Sequence, residues 1–86
     1  MPDFLLSAHA IEQINNRGIS QEIVFDVLAN PDKIELEGEG QLIYQKVISF
    51  EGNDDYLVRI FVNSNKIPNL VKTVYRTSKF SKYQWK

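Results

Sequence analysis

The sequence predicts an α+β domain in which two amino-terminal helices pack on one face of an antiparallel meander of about four strands. Two observations carry this. Apolar residues recur at helical spacing before residue 30, and from residue 33 the period changes to two. Helices grouped ahead of strands, rather than alternating with them, are the order of an α+β layer. A length of 86 residues supports one domain, residues 1–86, with one modest core.

The elements follow in order. Ser7 is placed to cap a helix from Ala8 to about Asn16, its hydroxyl taking an orphan N–H of the first turn. Ala10, Ile11 and Ile14 form its apolar stripe, and Gly18 suits the position just past its end. A second helix starts at Ser20, with Ile19 and Val24 spaced as a hydrophobic staple. Ile23, Val24, Val27 and Leu28 supply its inner face, and Asn30-Pro31 stops it. Next comes the short strand KIELE, with Ile34 and Leu36 on one face and Glu35 and Glu37 on the other. QLIYQKVISF and YLVRIFV are longer strands joined by the hairpin loop EGNDD. NSNKIPN leads to the last strand, LVKTVYRT, and a basic, aromatic tail follows. The expected core is Ile11, Ile14, Val24, Val27, Leu28, Ile43 or Tyr44, Val58, Ile60 and Val74. Alternation along the last strand leaves two choices open. Either Leu70 and Val74 face the core and Thr73 and Tyr75 face outward, or Val71 and Tyr75 are inside and Lys72 and Arg76 are displayed.

Charge is unevenly distributed. Residues 1–55 carry eleven acids and three bases, whereas residues 56–86 carry seven bases and no acid. Such a split predicts a polyanion-binding face or a basic tail, unless the halves pair in the fold. Phe80, Tyr83 and Trp85, interleaved with Lys79, Lys82 and Lys86, could stack bases and hold phosphates, or dock a protein partner. With one histidine and no cysteine, the usual zinc sets are excluded, and no metal or cofactor is expected. The four glycines form no phosphate loop, and no nucleophile-elbow motif surrounds a serine. Glu35, Glu37 and Glu39 read as charged protection of an edge strand. No apolar run reaches the ~20 residues of a membrane helix. No basic leader precedes the short apolar stretch at the start, so a cytoplasmic protein is expected.

One helix face singles itself out. His9, Gln13 and Arg17 are successive i, i+4 neighbours. An imidazole can move protons near neutral pH, and a guanidinium grips phosphate through two parallel N–H groups. Together they suit phosphodiester cleavage, one handling protons and the other developing charge. A half-exposed histidine and a surface arginine would show the same spacing.

The stretch SAHAIEQINNRGIS resembles the opening helix of the bacterial family DUF4258, whose members begin S-x-H-A and reach R-G-I-S. DVLANP resembles its second helix, Thr73-Val74-Tyr75 its closing strand, and RTSKFSKY the ends of a subgroup. Gln13 stands where that family often has a basic residue. The family in turn resembles small ribonuclease toxins of the barnase, colicin and RelE type. That resemblance implies metal-independent cleavage of RNA by attack of a 2′-hydroxyl on its own phosphate. It implies His9 as general acid/base, Arg17 as phosphate clamp and Thr73 and Tyr75 as orienting hydroxyls. Gln13, Arg76, Lys79, Lys82 and Tyr83 would contact RNA, and a small antitoxin protein would be the partner. The alternative is a non-catalytic module that binds RNA or protein through the basic carboxy-terminal half.

Overall fold

A computed structural model of the chain describes residues 4–50 and 54–80. Lys82, Tyr83, Trp85, Lys86 and residues 51–53 of the EGNDD loop lie outside the described residues.

The elements are β1 (Phe4–Leu6), α1 (Ala8–Asn16), α2 (Gln21–Ala29), β2 (Lys33–Gly38), β3 (Gln41–Phe50), β4 (Asp54–Asn63) and β5 (Asn69–Thr77). The class is α+β, as expected, but the sheet is mixed and five-stranded, in the order β1-β5-β4-β3-β2. Strands β2 to β5 form the antiparallel meander. The addition is β1, which pairs in parallel with β5 from Phe4↔Asn69 to Leu6↔Val71. Three residues are too few to show a period of two, so only a long-range pairing makes them a strand. Asp54 and Asp55, expected in the loop, pair with Phe50 and Ser49 and belong to β4.

Both helices start and stop where their local chemistry directs. The Ser7 hydroxyl accepts the Ala10 N–H at 3.0 Å, and the Ser20 hydroxyl accepts the Ile23 N–H at 3.2 Å. Gly18 turns the chain between them at φ 65°, a conformation that costs other residues about 1–2 kcal/mol. Ile19 and Val24 are both buried at the entry to α2.

The main core lies between the helices and one face of the sheet. Ala10, Ile14, Val24, Val27 and Leu28 meet Val58, Ile60, Val62, Val71 and Val74 there. Ile11 is a correction: it is 41% exposed. Ala10 and Ile14, four residues apart, set the buried bearing, and Ile11 lies about 100° round from Ala10. At β3 both expected candidates pack: Ile43 is buried, and Tyr44 lies half-buried against the helix-side core.

Neither alternation expected for β5 holds along its whole length. The register shifts between Phe61↔Thr73 and Val62↔Val71, so Lys72 is an extra residue in a bulge. Val71 and Val74 are therefore both fully buried although they lie three residues apart. Beyond the bulge, Val74 and Arg76 pair with Ile60 and Val58 on the helix-covered face, and Thr73 and Tyr75 occupy the other.

Candidate nucleic-acid interface

β5 is flanked by β1 only as far as Val71, so from Lys72 onward its outer edge has no neighbouring strand among the described residues. Helix α1 takes that place. Ser7 donates its N–H to the Val71 carbonyl at 3.0 Å and its hydroxyl to the Lys72 carbonyl at 3.3 Å. The Gln13 side-chain oxygen accepts the Val74 N–H at 2.9 Å, and Arg17 donates through Nη1 to the Val74 carbonyl at 3.2 Å. The polar side of α1 thus satisfies backbone groups that a sixth strand would otherwise meet. Gln13, expected to contact RNA, commits its oxygen to the fold.

Arg17 does more than bridge. Its guanidinium carbon lies 5.8 Å from the centre of the Tyr75 ring, within cation–π range. It also lines an open cleft of about 550 Å³ with Asn16, Gly18 and Arg76. Arg76 enters from the end of β5, stacked 4.3 Å from the Phe50 ring centre and 4.7 Å from that of Tyr56. Those two rings meet edge to face at 5.4 Å. A second cleft of about 570 Å³ continues past Gly18 and Arg76 to Ser20, Ile23, Ser49 and Phe50. Neither Arg17 nor Arg76 has an ion-pair partner among the described residues. Two guanidiniums facing one cleft make a field suited to phosphate oxygens.

The opposite face of the sheet holds a buried polar chain that the sequence reading missed. Arg59 donates through Nε to Gln45 Oε1 at 3.0 Å and through Nη1 to the Tyr75 hydroxyl. Gln45 donates to Glu35 at 2.7 Å, and Arg59 Nη2 lies 3.5 Å from the same carboxylate. The Tyr75 ring stacks with Phe61 at 5.9 Å. The chain thus runs from β2 to β5 and fixes the phenol beside Arg17. A signal existed in the sequence. Gln45 and Arg59 are polar residues in the middle of otherwise apolar strands, and in the sheet they are direct cross-strand neighbours.

The structure therefore brings together Arg17, Tyr75 and Arg76 of the expected site residues. It does not gather the rest around them. His9 is exposed in the first turn of α1, about 12 Å along the helix axis from Arg17 at 1.5 Å per residue. Thr73 is half-buried on the face away from the helices. Lys79 is exposed, its N–H bonded to the Thr77 hydroxyl at 3.1 Å. Lys82 and Tyr83 lie outside the described residues. Among those residues no group of His, Asp and Glu is arranged to hold a metal ion, and no helix is long and apolar enough to cross a membrane.

A family model described as "Domain of unknown function (DUF4258)" matches residues 6–76. Neither a curated protein nor a solved structure matches the chain.

Proposed function

The chain belongs to the DUF4258 family, and from its cleft we propose that it binds single-stranded RNA, with phosphates held by Arg17 and Arg76. The observation that carries this is the pair of guanidiniums on one open cleft, neither with a carboxylate partner among the described residues, set beside the rings of Phe50, Tyr56 and Tyr75. Cations that track phosphates and aromatic faces that stack bases are the means by which proteins hold single strands. The cleft is open, as a polymer requires.

Cleavage is a second reading, favoured by His9. Its ring is exposed, no hydrogen bond engages it among the described residues, and it stands on the same side of α1 as Arg17. An RNA strand laid along that side would reach the imidazole upstream of the phosphate at Arg17. His9 would take the proton of a 2′-hydroxyl while that oxygen attacks the adjacent phosphorus. The bond to the 5′-oxygen breaks, the imidazolium returns the proton to it, and a 2′,3′-cyclic phosphate forms. Arg17 and the Tyr75 hydroxyl would steady charge on the phosphate that follows. A toxin of this kind would have a small antitoxin protein as its partner.

The test is titration of a labelled single-stranded RNA, with product analysis by gel. The wild type binds, and binding weakens as salt rises. If the second reading holds, His9→Ala lowers the cleavage rate by about 10²–10⁴ with binding retained, and chelator changes nothing. Binding without cleavage leaves the RNA-binding module. A wild type that ignores RNA at low salt refutes both.

A further inference from the structure

The two edges of the sheet are finished differently. The outer edge of β5 is closed by β1 and by the side chains of α1, whereas β2 has nothing paired to its outer side among the described residues. Ile34 pairs with Tyr44 and Leu36 with Leu42, so both lie on the helix-covered face, but α2 packs over β3 and β4 and leaves them bare. Ile34 is 48% exposed and Leu36 75% exposed. On the other face stand Glu35 and Lys33, the latter exposed and without an ion pair among the described residues. Gln45 and Arg59 both reach Glu35 through Oε1, and 39% of that side chain stays open, which leaves its second oxygen for another cation.

We propose that β2 is a self-association edge, on which a second copy of the chain pairs antiparallel about a two-fold axis through Ile34. Open backbone groups at a sheet edge are a template for such pairing, and the facing side chains fix its register. A symmetric antiparallel pair must centre on a residue, because opposed residues share a face. Centring on Lys33 sets lysine opposite lysine. Centring on Glu35 sets glutamate opposite glutamate, and centring on Leu36 sets Glu35 opposite Glu37. Each of these places like charges directly opposite, which destabilises a sheet. About Ile34, Lys33 of each copy lies opposite Glu35 of the other, and no like charges meet. The two Ile34 side chains face each other, with Leu36 of each copy diagonal to Ile34 of the other, so four aliphatic side chains cover one another. The pairing runs from Asp32 to Leu36, because the next position sets Glu37 opposite Pro31, which has no N–H to donate. The two Glu37 residues then lie about 20 Å apart along the strands, well beyond a screening length of about 8 Å.

The test uses the full-length chain, which contains no cysteine. Ile34→Cys and Leu36→Cys are each incubated with oxidised glutathione, and covalent dimer is read on a non-reducing gel. In the proposed register the two residues at position 34 oppose each other with Cα atoms about 4.5–5.5 Å apart, within the span of a disulfide. Those at position 36 lie about 13 Å apart along the strands. Ile34→Cys should therefore cross-link, and Leu36→Cys should not, although position 36 is the more exposed. Sedimentation equilibrium of the wild type should show a dimer that grows with concentration. Lys33→Glu, which sets a carboxylate opposite Glu35, should weaken it at least about tenfold. Glu37→Lys, beyond the pairing, should leave it unchanged. The proposal is overturned by a wild type that stays monomeric up to about 1 mM. It is equally overturned by equal cross-linking of the two cysteine variants, by unchanged dimerisation in Lys33→Glu, or by weakened dimerisation in Glu37→Lys.

Discussion

Gln13 shows how one side chain can stand in for a strand. Its oxygen meets the Val74 N–H on an edge that β1 is too short to cover. Removing it in Gln13→Ala should cost roughly 0.5–1.5 kcal/mol in urea unfolding, the net worth of one hydrogen bond. Exchange of the Val74 amide should rise more than that of neighbours inside the sheet. An unchanged Val74 amide would show that the bond does not hold the edge. Asp26 makes a second residue-scale prediction. Its hydrogen bond to Lys46 at 3.1 Å lowers the carboxyl pKa below its ordinary value, opposed by partial burial and aided by Asn30. A lowered folded pKa means that this contribution is present at neutral pH and is lost as acid titrates the carboxylate below about pH 3.8. Lys46→Ala should therefore lower stability at pH 6 and make less difference at pH 2. Equal loss at both would contradict the charge effect. The caps Ser7 and Ser20 were legible in the sequence because a cap is a local device. The target of Gln13 was not, since an uncovered edge exists only after β1, β5 and α1 assemble.

At the scale of elements, helix ends were readable from local capping chemistry, whereas strand faces were not. Period-two alternation assumes an unbroken ladder, and the bulge at Lys72 breaks it. Leu70 and Val74 would share a face in a regular strand. Instead Val71 and Val74 are the residues fully buried. Beyond the bulge the first of the two open choices holds: Val74 and Arg76 share the helix-covered face, and Thr73 and Tyr75 lie on the other. The α1–α2 junction sets one wall of the cleft. Gly18 sits there at φ 65° with open space around it, so an added methyl meets no neighbour and only backbone strain counts. Gly18→Ala should lower stability by about 1–2 kcal/mol and, by shifting the junction, weaken RNA binding. A variant as stable as the wild type would mean that the turn relaxes without cost.

Across the whole molecule, the uneven charge of the sequence resolves into three fates. Arg59 turns inward to Glu35, Gln45 and Tyr75, which is the cancellation between halves that the sequence allowed. The acids of β2 line the edge of the sheet, as the strand's spacing suggested. Arg76 joins Arg17 at the cleft. Of the expected site residues, the sequence named Arg17, Tyr75 and Arg76 but did not show that these three come together. His9 and Arg17 share a helix side, yet the axis separates them by about 12 Å. Arg76 joined Arg17 through a pairing 18 residues away, at Arg76↔Val58, which turns its side chain to the helix face. The central claim is that Arg17 and Arg76 hold RNA phosphate. The most direct measurement is the salt dependence of single-stranded RNA binding for the wild type, Arg76→Gln and Arg76→Lys. Each phosphate contact on a single strand contributes about 0.7 to the slope of log affinity against log salt. Arg76→Gln should bind more weakly and with a slope shallower by about that amount, and Arg76→Lys should recover much of both. Identical affinity and slope in all three proteins would contradict the account.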